Sequence, residues 1–216
     1  MRYFTHFFYA LIIFLFVEGC DNKPVNQEAI KDEMANRELK RIPEGDILQK
    51  GMELGDTIAI EAQQLLQKNL LNAIQEGGVA HALQFCNANA LDLVKDLEEE
   101  GGYQIMRVSD KYRNPMDAPD SLENLILEAY QYNAEEGLPL EASIQSENAE
   151  VLLYTKPITI AGGLCLNCHG TIGQELSEAN YDSILGYYPE DKAVGYALND
   201  LRGMWVIRIP RKTVVK

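Results

Sequence analysis

The sequence predicts an α+β domain in which helices come first and an antiparallel sheet is completed late in the chain. Two long amphipathic stretches, each closed by a Gly-Gly pair, fill residues 56–99. Short runs rich in β-branched and aromatic residues follow at 103–109, 149–160 and 203–209. No internal repeat and no low-complexity segment complicates this order.

Each element has its own signal. Ile58, Ala62, Leu65, Leu66, Leu70 and Ala73 recur at three-to-four spacing and predict a helix over Asp56–Glu76, which Gly77-Gly78 ends. Val79, Leu83, Cys86, Ala90, Leu93 and Leu97 predict a second helix over Val79–Glu99, stopped by Gly101-Gly102. Tyr103–Ser109 reads as a strand. Asn114-Pro115 through Pro119 reads as a loop, because each proline disfavours a helical residue before it. Asp120 with Glu123 is a capping box that opens a short helix over Ser121–Asn133, with Leu122, Leu125, Ile126 and Ala129 facing inward. Ala149–Ile160 holds one or two strands, and Gly203–Ile209 a final one.

At 216 residues the chain fits one domain with appendages, and a hydrophobic share of 46% is that of a globular protein. The balance of 19 basic against 33 acidic residues gives a net charge of −14 with no basic run, which argues against nucleic acid as a partner. Phe7–Val17 is an apolar run preceded by Arg2, too short for a membrane span of roughly 20 residues but of signal-peptide length. Val17-Glu18-Gly19-Cys20 follows and resembles a bacterial lipobox, although Glu18 is untypical of it. The expectation is a signal peptide over residues 1–19, removed in the mature protein, and a lipidated Cys20. A charged tether then runs over residues 20–50, partly helical near Glu28–Leu39, and the folded domain over residues 51–216. That arrangement places the domain in the bacterial cell envelope, facing the periplasm and held to a membrane by its lipid. The competing reading is a plain signal anchor with an incidental Cys20.

One motif carries chemistry. Cys165-Leu166-Asn167-Cys168-His169 is C-x-x-C-H, the attachment signature of haem c. Two thiols add across the two vinyl groups of one porphyrin, so they need a fixed short spacing. The imidazole that follows then lies under the iron as an axial ligand. A structural zinc site needs two further ligands, usually a second pair, and none is present. A thioredoxin-like dithiol has no use for His169. Export agrees independently with the haem reading, because covalent attachment takes place outside the bacterial cytoplasm. Of the four cysteines only Cys86 is then left without a use. It is either a small buried apolar residue on its helix stripe or a thiolate ligand on the far side of the iron. His81, Met106, Met116 and Met204 are its rivals. His81 stands five residues earlier, about 140° around a helix, and so cannot face the same iron.

The wider pattern resembles a known family. Cys86 in a helix, Arg107-Val108-Ser109, Arg113-Asn114-Pro115 with Pro119-Asp120 and Lys156-Pro157-Ile158 are followed by Cys165–Gly170, Tyr188-Pro189, Asp191–Tyr196 and Leu201-Arg202-Gly203, in that order. Over residues 55–210 this is similar to the single-haem c-type domain with a PAS-like fold, catalogued as a domain of unknown function and also found as the extracytoplasmic sensor part of some histidine kinases. The resemblance implies a PAS-like antiparallel sheet flanked by N-terminal helices, a covalent haem, and an axial pair of His169 and Cys86. Met116-Asp117 departs from the family's loop, which puts a loop hydrogen bond in question and leaves the ligands untouched. Arg113 and Arg107 are candidates for neutralising the haem propionates, against the plainer reading of a solvated or ion-paired patch. Tyr154, Tyr188 and Trp205 are candidate pocket walls or plain core.

These readings lead to a membrane-anchored haem protein that either carries electrons to a redox partner or senses redox state. The alternative is a gas-responsive sensor. No signalling module follows the motif, so a sensor is expected to work through a separate signalling protein. A peroxidase-like enzyme fits least, because no acid/base constellation stands beside the motif and a filled sixth position blocks substrate.

Overall fold

The computed structural model describes residues 26–36, 42–89 and 94–215. The chain divides into two units, one reaching Arg41 and the other running from Ile42 to Lys216. In the first unit, helix α1 (Gln27–Asn36) stands where partial helicity was expected. The Asn26 side chain accepts from the Glu28 amide at its start. Residues 1–19, expected as a signal peptide, and Cys20 lie outside the described residues. Among the described residues no helix is long and apolar enough to cross a membrane.

The second unit opens with helix α2 (Glu44–Asn89). It begins twelve residues before the expected Asp56, and Ile47, assigned to the tether, is buried in the core. Gly77 and Gly78 break it as anticipated. Gly78 takes φ 73°, a left-handed conformation that costs a glycine little and other residues much. The C-terminal half of the expected second helix is found as helix α3 (Lys95–Gly101), while Ala90 and Leu93 fall outside the described residues. Strand β1 (Gln104–Val108) follows, then a 3₁₀ turn at Pro115–Asp117 within the expected loop. Helix α4 (Ser121–Glu135) carries the full capping box. Strands β2 (Ser143–Ser146) and β3 (Val151–Thr159), helices α5 (Gly163–His169) and α6 (Glu178–Tyr187), strand β4 (Leu201–Pro210) and helix α7 (Arg211–Val214) complete the unit.

The four strands form one antiparallel sheet in the order β1-β4-β3-β2. Strands β3 and β4 are the central pair, and period-two alternation sends their side chains to both faces. Leu152, Tyr154, Trp205, Ile207 and Ile209 meet Ile58, Ala59 and Ala62 of α2 on one face. Leu153, Met204 and Val206 meet Leu127 and Tyr130 of α4 on the other. Two helical glycines let α2 lie close to the sheet. A Cβ on Gly55 would run into the Tyr154 ring, and one on Gly51 would come within 2.6 Å of Ile144. Each costs roughly 1 kcal/mol of helix propensity, which the close packing offsets. The sequence-derived α+β class with an antiparallel sheet thus holds.

The inward face of α4 is kept in half: Leu122 and Ile126 pack on the core as expected. Leu125 is 63% exposed and Ala129 is also outside, while Glu123, Leu127 and Tyr130 are buried. The reason is long-range. Arg208 Nη1 donates to Glu123 Oε1 at 3.0 Å, and the same guanidinium also binds Asp120 and Glu147. A carboxylate that periodicity assigns to solvent is thereby turned inward.

Candidate functional site

The two motif cysteines and the histidine share one short helix, α5, anchored by buried Leu166. Leu166 packs with Ile160 and Tyr196, and Cys165 lies against that cluster. Cys168 lies against a second cluster built from Leu83 of α2 and from Leu176 and Ile184, with Tyr188 at its margin. Cys86 stands one helical turn beyond Leu83. Its thiol is near enough to Cys168 for charge on one to disfavour charge on the other. Burial raises the pKa of Cys86, with Arg107 and Arg113 pulling the opposite way. Burial likewise raises that of Cys168. No disulfide joins Cys86, Cys165 and Cys168.

His169 is held by a loop, not by its own helix. Its Nδ1 lies 2.7 Å from the Ala193 carbonyl. A carbonyl only accepts, so Nδ1 carries the proton and the Nε2 lone pair is left free to bind a metal. The backbone amides of Gly195 and Tyr196 donate to the carbonyls of Gly170 and His169, docking the loop against the end of α5. Tyr196 meets the imidazole edge-on at a centroid distance of 6.2 Å. Part of His169 remains open to solvent. Even so, burial first and the charge of Arg113 second hold its pKa well below the ordinary histidine value.

Arg113 is the hub of this arrangement. Its Nε donates to Asp191 Oδ1 at 3.0 Å, and its Nη2 donates to the Cys168 carbonyl at 2.5 Å. The Nη2 also lies 3.4 Å from both the Ala193 carbonyl and His169 Nδ1. Asp191 has no exposed side-chain surface, accepts in addition from the Ala193 amide at 3.1 Å, and leaves Oδ2 buried without a hydrogen-bond partner. Arg107 lies 5.7 Å over the Trp205 ring. Arg202, which sequence reasoning quoted within a motif but gave no role, lies 5.5 Å over Tyr196, with Lys111 at 4.1 Å from the same ring. Arg202 Nη1 donates to the Lys111 carbonyl, but its Nε is buried with no partner. Burial, opposed by Tyr196 and reinforced by Arg113 and Arg107, lowers its pKa.

The remaining candidates stand elsewhere. His81 is 43% exposed and faces Glu76. Met204 and Met106 belong to the core under α4, and Met116 is 71% exposed. Tyr154 is core, its hydroxyl donating to Asp56 Oδ1 at 2.6 Å beside Lys156. Trp205 is core too, with Nε1 donating to Gln63. A groove of about 390 Å³ between α2, α3 and α7, lined by Leu54, Ile58, Leu97, Tyr103 and Lys212 among others, touches none of the motif residues.

Comparison with known proteins now decides the family. The model of the Tll0287-like family matches residues 22–210. The chain belongs to the Tll0287-like family. The crystal structure of the cyanobacterial heme-protein Tll0287 is similar to it at 29% sequence identity, with a TM-score of 0.55, over 73% of this chain and 94% of that one. No curated protein matches. The family resemblance drawn from the sequence is thereby upheld, and its match spans both Cys86 and the C-x-x-C-H motif.

Proposed function

We propose that this Tll0287-like chain is a lipid-anchored, periplasm-facing single-haem c-type protein of electron transfer or redox sensing. The observation that carries the reading is the state of His169. It is fixed through Nδ1 to the Ala193 carbonyl, which leaves Nε2 as the ring's free donor atom, directly after a pair of thiols on one short helix.

The donor set fits a haem. Cys165 and Cys168 would take the covalent attachment, His169 the proximal position and Cys86 the distal one. Arg202 Nε, buried without a partner, suits a carboxylate such as a propionate, and Arg107 stands in the same cationic group. Arg113 supports the reading differently from the sequence expectation, because its guanidinium is engaged by protein groups around His169. When bound, the haem supplies a one-electron couple at its iron. The chain's own residues do the rest. The Nδ1–H bond keeps the imidazole in one tautomer and one orientation, and Cys86, whose burial favours the neutral thiol, would have to give up its proton to serve the iron as a soft thiolate donor that favours the ferric state.

Pyridine haemochrome assay and mass spectrometry of protein from a host competent for cytochrome maturation should show one covalent haem per chain; a chain without added tetrapyrrole mass removes the reading. The ferric spectrum should change in Cys86→Ala, and an unchanged spectrum takes Cys86 out of the site. Carbon monoxide binding to the reduced protein would point to the gas-sensor alternative, whereas refusal with fast exchange to another cytochrome points to a carrier. Labelling with a radioactive lipid precursor tests Cys20.

A further inference from the structure

We infer that Asp191 is a positioning residue for the imidazole of His169, acting through Arg113 and the Ala193 carbonyl; this rests on the haem reading above. Three observations converge on it. Asp191 Oδ1 binds both the Ala193 amide and Arg113 Nε, so one carboxylate oxygen shapes the turn and aims the guanidinium. The Ala193 carbonyl, on the adjoining peptide, is the acceptor for His169 Nδ1–H. Arg113 Nη2 clasps the Cys168 carbonyl and so ties the same assembly to the end of α5. The Asp191 side chain is wholly buried and its Oδ2 has no partner, an arrangement that a purely structural ion pair does not require.

Two consequences follow. Asp191 balances the positive charge of Arg113 beside the ligand ring, which keeps His169 a stronger donor and the ferric iron favoured. Arg113 supplies geometry, because its planar fork reaches Asp191 and the Cys168 carbonyl at once, which a lysine cannot do.

The test uses the full haem-loaded chain. Asp191→Asn keeps the shape and removes the charge. It should retain one haem per chain and shift the midpoint potential upward, with an altered low-spin ferric electron paramagnetic resonance spectrum. Asp191→Glu should restore most of the shift. Arg113→Lys, which keeps the charge and loses the fork, should give a heterogeneous ferric signal with a smaller change in potential, and it carries the test if Asp191→Asn does not fold. A loaded Asp191→Asn protein with wild-type potential and spectrum overturns the inference. If the wild type carries no haem, the functional reading fails and positioning is judged separately in the unloaded full chain. Nitrogen NMR there should show a single Nδ1-protonated His169 tautomer in the wild type and a mixture in Asp191→Asn, and an unchanged tautomer is fatal to it.

Discussion

Two arginine networks in this molecule are built to opposite ends. Around Arg208, Asp120, Glu123 and Glu147 each accept from a different guanidinium nitrogen, at 2.9, 3.0 and 2.8 Å, so every nitrogen is used. Around Arg202 the pairing is unfinished. The guanidinium reaches the Lys111 carbonyl and Tyr196, but Nε is buried with nothing to donate to, and Arg113 and Arg107 crowd the same region. The Arg208 network is complete as protein. The Arg202 network sits beside the C-x-x-C-H helix with donors to spare, as a region does that is completed by something other than the polypeptide. Buried polar groups without partners are rare in folded proteins; Arg211 Nε is another, at the junction of α2 and α7, so what singles out Arg202 is its place beside Arg107, Arg113 and the C-x-x-C-H helix.

The largest expected effect tests the unfinished region. Replacing Cys165 and Cys168 together by alanine should abolish covalent haem, read as complete loss of the haemochrome signal and of the tetrapyrrole mass. Far-ultraviolet circular dichroism should stay close to wild type, because neither thiol belongs to the sheet core. Retained covalent haem in that variant would falsify the attachment.

The finished region should break in another way. Arg208→Ala leaves the buried Glu123 carboxylate uncompensated, and removal of one partner from a buried pair costs roughly 3 kcal/mol. Denaturant unfolding should show that loss while the haem spectrum stays unchanged. A loss well under 1 kcal/mol would mean that the network contributes little. Arg202→Met supplies the counterpart. Replacing an incompletely satisfied buried cation by an apolar side chain of similar length should cost under about 1 kcal/mol in the unloaded chain. The same change should reduce haem loading. If Arg202→Met is as damaging to the unloaded fold as Arg208→Ala, the distinction between the networks collapses.

The same distinction explains what could be read from the sequence. The C-x-x-C-H motif stands out in the sequence because its five residues are consecutive and fold into one short helix. The Asp120–Glu123 capping box was legible for the same reason, and the glycine pair at 77–78 marked its break without help from tertiary structure. The inward face of α4 was legible at Leu122 and Ile126 but not at Glu123, because the partner that turns Glu123 inside is 85 residues away. Strand β2 and helix α6 were missed, since Ser143–Ser146 has one apolar residue in four and Glu178–Tyr187 has a weak apolar stripe. Asp191 was quoted only as part of a motif, because its partner Arg113 lies 78 residues earlier. Nothing local marks Arg202, because acidic residues outnumber basic ones around C-x-x-C-H and the Arg107 and Arg113 that join it lie 95 and 89 residues earlier.

The smallest effect concerns a third arginine, at the surface, and its sign is fixed by linkage. Arg211 donates twice to Glu44 at 2.6 Å, joining the start of α2 to α7, with Ser146 as a further donor. These hydrogen bonds, Arg211 first, lower the Glu44 pKa from 4.5 to about 2. A folded-state value below the unfolded one means that the pair adds stability above about pH 4.5 and loses it as pH falls towards 2. The stability difference between wild type and Arg211→Ala should therefore be present at neutral pH and shrink through that window. Asp56, whose pKa is lowered by Lys156 and Tyr154, titrates in both proteins and cancels from the difference. The pair is exposed to solvent, so added salt should reduce the neutral-pH difference too. A difference that stays constant from pH 7 down to pH 2 would show that Arg211 acts through packing of its stem on the sheet edge, and that the ion pair itself contributes nothing.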